Sequence, residues 1–483
     1  MRIALQDRRE IDCVCDALIL PFTEEGPDPY RKLKPSLNKL IARVWHHEFN
    51  GEKLEVLLVP APEDIKPERI LFLGLGKKDA VSPEQIRQAG GKALAYLRDL
   101  GIKKPALSTI LFTGLKQSPV DFTEGALLGL YQYEKYRSEK RGKKIAALTV
   151  IARSSRELLQ NIRRVETLAS AVVFARDLVN APANEMTPAD LAAVARSLKR
   201  KTLSVKVLEK NDLKKLRMGA YLAISYGSTE PPKFIVLEYK GSRKPPVVII
   251  GKSITFDSGG LSLKPSDSME KMKYDMAGGA AVLGVMKAAS ELKLPVHLVG
   301  LLPATENLPG CAATKPGDVV RSISGKTIEI VNTDAEGRLA LADALTYARR
   351  FKPAAVIDIA TLTGACAVAF GGEAVAMMGN DRALLDVCKT SGEDTYERVW
   401  EMPLFEEYKE YLKSDIADLK NVGSRIGSLM ASAYFLYEFA GQTPWVHLDI
   451  AGTAWVEKDR PYLPKGASGI GVRLIYDIIK RLA

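Results

Sequence analysis

Apolar and polar positions alternate in blocks along the first 150 residues, and the blocks predict strands and helices in turn. Segments such as PEQIRQAGGKALAYLRDL (83–100) have the apolar spacing of a helix. Alternating strands and helices are typical of an α/β domain, which we assign to residues 1–150. The runs predicted as buried strands are ALILPF (17–22), LEVLLVP (54–60), RILFLGLG (69–76), LSTILFTG (107–114) and IAALTVIA (145–152).

A long helical pattern follows this first domain. From Leu158 to Val179, apolar side chains recur every three or four residues. Ser154 and Glu157 have the spacing of a capping box at the start of the helix, and Pro182 closes the pattern. We therefore predict that residues 154–180 form a linker helix between two domains.

The apolar runs after residue 181 are more continuous than those before it. Uninterrupted apolar strands separated by helices are typical of a mostly parallel sheet that helices cover on both faces. The predicted fold is thus two α/β domains joined by a long helix, the second covering residues 181–483. Ligands of such sheets bind at the carboxyl ends of the strands. The runs are KFIVLEY (233–239), PVVIIG (246–251), HLVGLLP (297–303) and AAVIDIA (354–360).

Composition favours an ordinary soluble globular protein without a histidine-rich metal site. Hydrophobic residues make up 46% of the chain and charged residues 26%, as in ordinary globular proteins. No apolar run could cross a membrane, and the N-terminus MRIALQDRRE lacks the apolar core of a signal peptide, so we expect a cytoplasmic protein. The four histidines include no H-E-x-x-H, and the five cysteines no C-x-x-C. A catalytic metal would therefore be held mainly by carboxylates.

The net charge of +11 raises the alternative of nucleic-acid binding. The excess is spread over both halves of the chain, but YQYEKYRSEKRGKK (131–144) interleaves basic residues with tyrosines. Such interleaving can bind nucleic acid, and it is equally typical of a solvated helix end or loop. Both interpretations stay open at this point.

Two segments carry most of the candidate chemistry, at predicted strand ends and helix starts. They are GKSITFDSGGLSLKPSDSMEKMKYDMAGGAA (251–281) and VNTDAEGRLALADALTYA (331–348). Lys252 follows a strand as in a nucleotide-binding P-loop, but Pro246 stands where that motif requires glycine, which excludes a P-loop. The candidate residues are Lys252, Asp257, Lys264, Asp275, Asp334, Glu336 and Arg338.

The carboxylates of these segments suggest a metal centre. Asp334 and Glu336 are two positions apart, so an extended segment would project both to one side. Four carboxylates that converge at strand ends without counter-charges would repel each other, and two divalent ions about 3.5–4 Å apart would cancel that repulsion. Separate caps and turns are the alternative, because aspartate before glycine is common in turns.

The same segments resemble a known family. NTDAEGRL (332–339), FDSGG (256–260), SLKP (262–265) and KYDM (273–276) are similar to segments of the cytosolic leucyl aminopeptidase family, which are two-metal exopeptidases. The resemblance extends over 218–239, 358–371 and 444–455, whereas residues 1–150 resemble that family only in general character.

The resemblance implies a metal-dependent aminopeptidase that releases N-terminal leucine or other apolar residues from peptides with a free N-terminus. Asp257 and Glu336 would bridge two divalent ions, manganese or zinc. Lys252 and Asp275 would complete one metal site, and Asp334 the other.

The remaining roles are also implied by the resemblance. Lys264 would polarise the scissile carbonyl, and Arg338 would hold a bicarbonate ion that acts as general base. The residues expected to contact substrate are Met272, Thr361, Leu362 and Gly364. A homohexamer is expected, and a DNA-binding or regulatory role on the same scaffold is the alternative function. Ser253 stands where the family usually has glycine after the metal-binding lysine.

Overall fold

The computed structural model describes residues 1–112, 118–139 and 142–483. The chain divides into two compact units, which we call the N-terminal unit (1–170 and 458–465) and the catalytic unit (171–457 and 466–483). The division at residue 170 falls inside the helix predicted as the linker. Residues 458–465, which the sequence pattern assigns to the second domain, belong to the N-terminal unit.

The N-terminal unit is built on a six-stranded sheet in the order β1-β6-β5-β2-β4-β3. Neighbouring strands are parallel except for β3, which runs antiparallel to β4. Its helices are α1 (Pro35–Val44), α2 (Pro83–Asp99) and α3 (Ser118–Gly129). Its strands are β1 (Arg2–Gln6), β2 (Ala17–Phe22), β3 (Val56–Pro60), β4 (Arg69–Gly74), β5 (Pro105–Ser108) and β6 (Ala147–Ile151).

The strand predictions for this unit are mostly confirmed, with two differences. The run 107–114 is wrong as a strand, because β5 ends at Ser108 and a 3₁₀ turn occupies Ile110–Phe112; residues 113 and 114 lie outside the described residues. Strand β1 was not predicted, since its five residues include Arg2 and Gln6 and form no long apolar run.

The long helix α4 spans Arg156–Asn180 and agrees with the predicted pattern. Its first turn is capped one residue later than the sequence indicates. The Ser155 hydroxyl accepts a hydrogen bond from the Leu158 amide at 3.1 Å, so the predicted Ser154–Glu157 capping box is wrong.

A nine-stranded sheet forms the centre of the catalytic unit. Along it the order is β16-β15-β18-β14-β9-β11-β8-β7, and β10 pairs with β11. The neighbours β18, β14, β9 and β11 are parallel, whereas β8 and β7 are antiparallel additions at one side. The sheet strands are β7 (Leu203–Leu208), β8 (Lys233–Lys240), β9 (Val247–Gly251), β10 (Ser253–Asp257), β11 (His297–Asn307), β14 (Ala355–Ala360), β15 (Val375–Gly379), β16 (Val399–Glu401) and β18 (Trp445–Asp449).

Helices flank this sheet, so the predicted mixed α/β class with a mostly parallel sheet is confirmed. The run 233–239 is a strand as predicted, but it runs antiparallel to β11, since strand direction is not encoded in apolar continuity. The helices are α5 (Pro188–Ser197), α6 (Lys210–Lys215), α7 (Gly219–Ile224), α8 (Ala277–Glu291), α9 (Glu336–Ala348), α10 (Gly364–Phe370), α11 (Arg382–Thr395), α12 (Ser428–Ala440) and α13 (Val472–Leu482). Two small sheets comprise β12 (Asp318–Arg321), β13 (Thr327–Ile330) and β17 (Leu419–Lys420), and β19 (Trp455–Val456) with β20 (Gly466–Ala467).

The parallel strands bring four polar strand ends to one edge of the sheet. Asp257 ends β10, Asn307 ends β11 and Asp449 ends β18, while Thr361 follows the last residue of β14. Carboxyl ends of parallel strands lie at the same edge, which is where α/β sheets bind ligands. Across the described ranges, no helix combines the length and apolar character that a bilayer span needs.

Candidate active site

Lys252 lies at the centre of one half of the site. Its amine is 2.9 Å from Asp275 Oδ2 and 2.8 Å from Glu336 Oε1, and it donates to the Thr361 carbonyl oxygen at 2.9 Å. The lysine, Asp275 and Glu336 are all buried. Burial disfavours the charged amine, but the carboxylates of Asp275 and Glu336 outweigh it and raise the pKa of Lys252.

Lys264 occupies the other half of the site. Its amine lies 2.9 Å from Asp257 Oδ2 and also contacts Asp334 Oδ1. Asp257 Oδ1 accepts from the Gly259 amide and from Asn307 Nδ2, each at 2.9 Å. These two bonds hold Oδ1 of Asp257 in place, while its Oδ2 faces the centre of the cluster.

Glycines make the close approach of these segments possible. Gly259 and Gly260 have φ angles of +89° and +68°, which residues other than glycine rarely adopt. A Cβ at Gly337 would lie 2.6 Å from Lys252 Cε and 2.7 Å from its amine nitrogen. The glycine after Glu336 therefore leaves the space in which the lysine side chain runs.

The route by which Asp334 and Glu336 converge differs from the prediction of an extended segment. Asp334 lies in a turn, and Glu336 is the first residue of α9. Asp275 likewise lies not at a strand end but in the 3₁₀ helix Met269–Met276, directly before α8. Of the four carboxylates, only Asp257 ends a strand. The other three carboxylates reach the cluster from a turn, from the first residue of α9 and from the 3₁₀ helix before α8.

The donor set fits divalent cations. Asp257, Asp334 and Glu336 each offer one oxygen, and these oxygens lie within 4.8 Å of one another. Glu336 Oε2 is buried and has no hydrogen-bond partner within the described part of the chain. Contrary to the expectation of no counter-charge, two lysines lie among the four carboxylates, yet a formal excess of two negative charges remains. Burial first, then the neighbouring carboxylates, raise the pKa of Glu336 and Asp334, as expected for acidic groups that lack enough positive charge.

Arg338 lies two residues into α9 and is buried. One guanidinium nitrogen of Arg338 donates to the Asn421 carbonyl oxygen at 2.6 Å, while its Nε has no hydrogen-bond partner in the ranges that the structure describes. Burial lowers the pKa of Arg338 to about 10 despite the nearby Glu336. A buried guanidinium with an unsatisfied donor is suited to hold a small anion.

The expected substrate residues lie around the end of β14. The Thr361 hydroxyl donates to Asp275 Oδ1 at 2.7 Å, and Leu362 is partly buried against the main core. Gly364 is exposed, and no atom of the described residues lies within 4 Å of the place a Cβ would take. Met272 is half-buried in the 3₁₀ helix that carries Asp275.

Ser253, the departure from the usual glycine, is fully buried beside Lys252. Its hydroxyl donates to the Gly251 carbonyl oxygen at 2.8 Å. A Cβ at Gly279 would lie 2.1 Å from that hydroxyl oxygen, so Gly279 provides the room that the serine needs. The serine is accommodated while Lys252 keeps its contacts with the carboxylates.

Two buried residues of the site were not singled out from the sequence. Asn307 donates to both Asp257 and the Thr333 carbonyl oxygen. Asp449 accepts from the Leu362 amide and the Thr363 hydroxyl. The available signal was a polar residue at the end of an apolar strand. The predicted strand 297–303 did not reach Asn307, whereas β11 continues to that residue.

Comparison with known proteins agrees with this geometry. Residues 173–476 match the description "Cytosol aminopeptidase family, catalytic domain", and residues 23–140 match "Cytosol aminopeptidase family, N-terminal domain". The chain belongs to the cytosol aminopeptidase family. It is thus a peptidase, a hydrolase that acts as an aminopeptidase, and the resemblance seen in the sequence is confirmed.

Relatives with the same domains cover nearly the whole chain. A probable cytosol aminopeptidase of Geotalea uraniireducens is 49% identical over 446 residues, 90% of each chain. One of Geobacter sulfurreducens is 44% identical over 479 residues, 96% of each chain.

Solved structures of the family show the same fold. A variant of tomato leucine aminopeptidase has a TM-score of 0.90 and 32% identity, covering 100% of this chain and 96% of its own. The bottromycin maturation enzyme BotP in complex with Mn has a TM-score of 0.87 and 32% identity, covering 97% of this chain and 99% of its own.

Proposed function

We propose that this cytosol aminopeptidase family member uses two divalent metal ions to release N-terminal leucine and other apolar residues from peptides. The observation that carries the proposal is the cluster of Asp257, Asp275, Asp334 and Glu336, of which all but Asp334 are buried, with its excess negative charge. Glu336 Oε2 in this cluster has no hydrogen-bond partner among the described residues. The manganese complex of BotP, with the same fold, supports the use of divalent ions.

The ligands are assigned from the two halves of the cluster. Asp257 and Glu336 would be shared by the two ions, Lys252 and Asp275 would hold one of them, and Asp334 would hold the other. Lys252 can ligate only as a neutral amine, and two neighbouring cations favour that form over the charged one. Manganese and zinc are both candidates, because carboxylate oxygens and a nitrogen suit either.

Two bound metals supply a water molecule of lowered pKa and a Lewis acid for the scissile carbonyl. The side chains around them divide the remaining work. Lys264 stabilises the negative charge that develops on the carbonyl oxygen, as a preorganised cation in a partly buried site. Arg338 would hold a bicarbonate ion, which would supply the general base for the attacking water.

Substrate contacts come from the segment after β14 and from Met272. The open space at Gly364 leaves room for a peptide backbone, and Leu362 and Met272 offer apolar surface to the first side chain. The metal site would recognise the free α-amine of the substrate, which would restrict cleavage to the first peptide bond.

The test is hydrolysis of leucine p-nitroanilide by chelator-stripped protein, before and after addition of manganese or zinc. Activity is expected to return at about two ions per chain. N-acetyl-leucine p-nitroanilide is the matched control substrate, since it lacks only the free amine. Equal cleavage of both substrates, or full activity without metal, would contradict the proposal.

Assembly into a homohexamer and a cytoplasmic location belong to the same proposal. Four large apolar side chains between 400 and 426 are at least 61% exposed, which supports burial of this segment against other subunits; they are Trp400, Phe405, Ile416 and Ile426. The names of the relatives support the location. Light scattering coupled to gel filtration measures the assembly, and a monomer would contradict it.

The nucleic-acid alternative stays a prediction. The basic cluster 131–144 belongs to the N-terminal unit, and residues 140 and 141 lie outside the described residues. Within the described part, Lys135 lies over the Tyr136 ring, with its amine 5.1 Å from the ring centroid, a contact that a solvated loop makes equally well.

A further inference from the structure

A buried acidic residue that none of the assigned roles includes lies behind the substrate segment. Asp449 ends β18 and is fully buried. Its Oδ1 accepts from the amides of Leu362 and Ala451, each at 3.1 Å, and its Oδ2 accepts from the Thr363 hydroxyl at 2.7 Å. Two of these three bonds hold consecutive residues of the segment that follows β14.

The held segment connects directly to the metal-ligand cluster. Thr361 receives the Lys252 amine on its carbonyl oxygen and donates its hydroxyl to Asp275. Thr363 caps α10, since its hydroxyl oxygen accepts from the Cys366 amide at 3.1 Å. Residues 361–363 are thus anchored to the cluster on one side and to Asp449 on the other.

A second buried pair supports Asp449. His447, two residues earlier on the same face of β18, is fully buried, and its Nδ1 pairs with Asp358 Oδ1 on the adjacent strand, where the two residues are in register. Trp445 Nε1 donates to the other Asp358 oxygen at 2.6 Å. Burial raises the pKa of Asp449, and the neighbouring His447 offsets only part of that rise.

From these contacts we infer that Asp449 is a positioning residue of the aminopeptidase site, which holds residues 361–363 in the conformation that receives the substrate. The inference rests on the proposed function for its kinetic consequences. The side-chain hydrogen bonds of Asp449 go to Leu362, Thr363 and Ala451, so it acts through the segment. Loss of its bonds lets Leu362 and Thr363 move while the carboxylates keep their own contacts.

The kinetic test compares Asp449→Asn and Thr363→Val with Thr363→Ser. The valine variant removes the hydroxyl between Asp449 and α10, and serine retains it. For leucine p-nitroanilide, KM is expected to rise about tenfold in Asp449→Asn and Thr363→Val, with kcat lowered less and metal content unchanged. Thr363→Ser is expected to restore KM to within about twofold of the unsubstituted protein.

Glu397→Gln is the matched control. Glu397 is also a buried carboxylate that accepts backbone amides, those of Gly471 and Leu474, but in a different part of the catalytic unit. A merely structural role for Asp449 predicts the same result for both residues: a lower melting temperature with KM unchanged in the folded fraction. That result for Asp449→Asn would overturn the inference.

Hydrogen exchange tests positioning without an activity assay. Amide exchange in a peptide covering 361–370 is expected to accelerate at least tenfold in Asp449→Asn and Thr363→Val, with no change in a peptide covering β9. If the unsubstituted protein cleaves no substrate but the two variants show accelerated exchange, the positioning role is supported and the proposed function is rejected. Unchanged exchange would reject the positioning role, whatever the activity.

Discussion

At the scale of single residues, the absence of a methyl group at position 337 determines where the Lys252 side chain can lie. Gly337 follows Glu336 at the start of α9, and its backbone faces the end of the Lys252 side chain. Only a residue without Cβ leaves that side chain its path to Asp275 and Glu336. The glycine of the NTDAEGRL segment is therefore part of the proposed metal site, although it offers no ligand.

Gly337→Ala is expected to displace the Lys252 amine and to lower kcat/KM at least tenfold. The new Cβ meets the flexible end of a lysine, so the fold should persist, at a cost of about 1–3 kcal/mol typical of overpacking. A tenfold loss of kcat/KM corresponds to about 1.4 kcal/mol. The measurements are steady-state kinetics and metal content after dialysis.

Thr346→Ala is the control for this variant, because Thr346 lies near the other end of α9 and bonds only within the helix, to the Ala342 carbonyl oxygen. It should retain activity. Undiminished kcat/KM and metal content in Gly337→Ala would show that Lys252 can bind metal from another position.

At the scale of elements, Asp343 joins three parts of the catalytic unit. It lies on α9, is fully buried, and accepts from the Tyr221 amide of α7 at 2.9 Å and the Ile323 amide after β12 at 2.8 Å. The helix that begins with Glu336 is held against its neighbours by this carboxyl group. Burial raises the pKa of Asp343 to about 7, although the backbone amides oppose the shift.

Asp343→Asn is expected to destabilise the protein by about 1–3 kcal/mol, because an amide NH₂ replaces one of the two acceptors. The raised pKa adds a pH dependence. Between about pH 4 and 7 the folded protein keeps the proton on Asp343, whereas the unfolded chain has released it. The stabilisation that comes from this bound proton is full below about pH 4 and is lost as the pH rises through 7. The stability advantage over Asp343→Asn should therefore shrink between pH 5 and 8, by at most about 1.4 kcal/mol per pH unit.

Thermal melts of the two proteins across this pH range measure the difference. Asp343→Ala, which has no acceptor, should be less stable than Asp343→Asn at every pH. An advantage that grows with pH would mean that the amide donors, not burial, control the titration of this group.

At the scale of the whole molecule, metal binding at the carboxylate cluster is expected to increase the stability of the fold. All of its carboxylates belong to the catalytic unit, and they come from chain segments between residues 257 and 336. Unfolding separates them, so ions that bind the folded cluster stabilise the whole unit. The N-terminal unit holds none of the assigned ligands.

Manganese is expected to raise the melting temperature of chelator-stripped protein. Free metal at a hundredfold excess over Kd contributes about 2.7 kcal/mol, enough to shift the melt by several degrees. Asp334→Asn combined with Glu336→Gln should abolish the shift. A shift of equal size in this double variant would place the ion elsewhere, and the calorimetric melt reports it independently of activity.

The sequence by itself determined the class of the fold and the members of the cluster. Apolar runs predicted the strands β2, β8, β9, β11 and β14, because burial on both faces needs continuous apolar side chains. The NTDAEGRL and FDSGG segments indicated the family, since acidic residues beside glycines in that order serve a specific chemistry. The same short-range patterns predicted helix α4 but placed its capping serine one residue too early, at Ser154 instead of Ser155.

Only the tertiary structure decided how those residues meet. Strand direction and the pairing of Asp358 with His447 depend on contacts between distant segments, which periodicity along the chain does not contain. The positions of Lys252 and Lys264 among the carboxylates also follow from packing, through glycines whose missing side chains leave the space. Asp449 was hidden for the same reason, because its partners Leu362 and Thr363 lie 86 or more residues away in the sequence and become neighbours only when β14 and β18 pair in parallel.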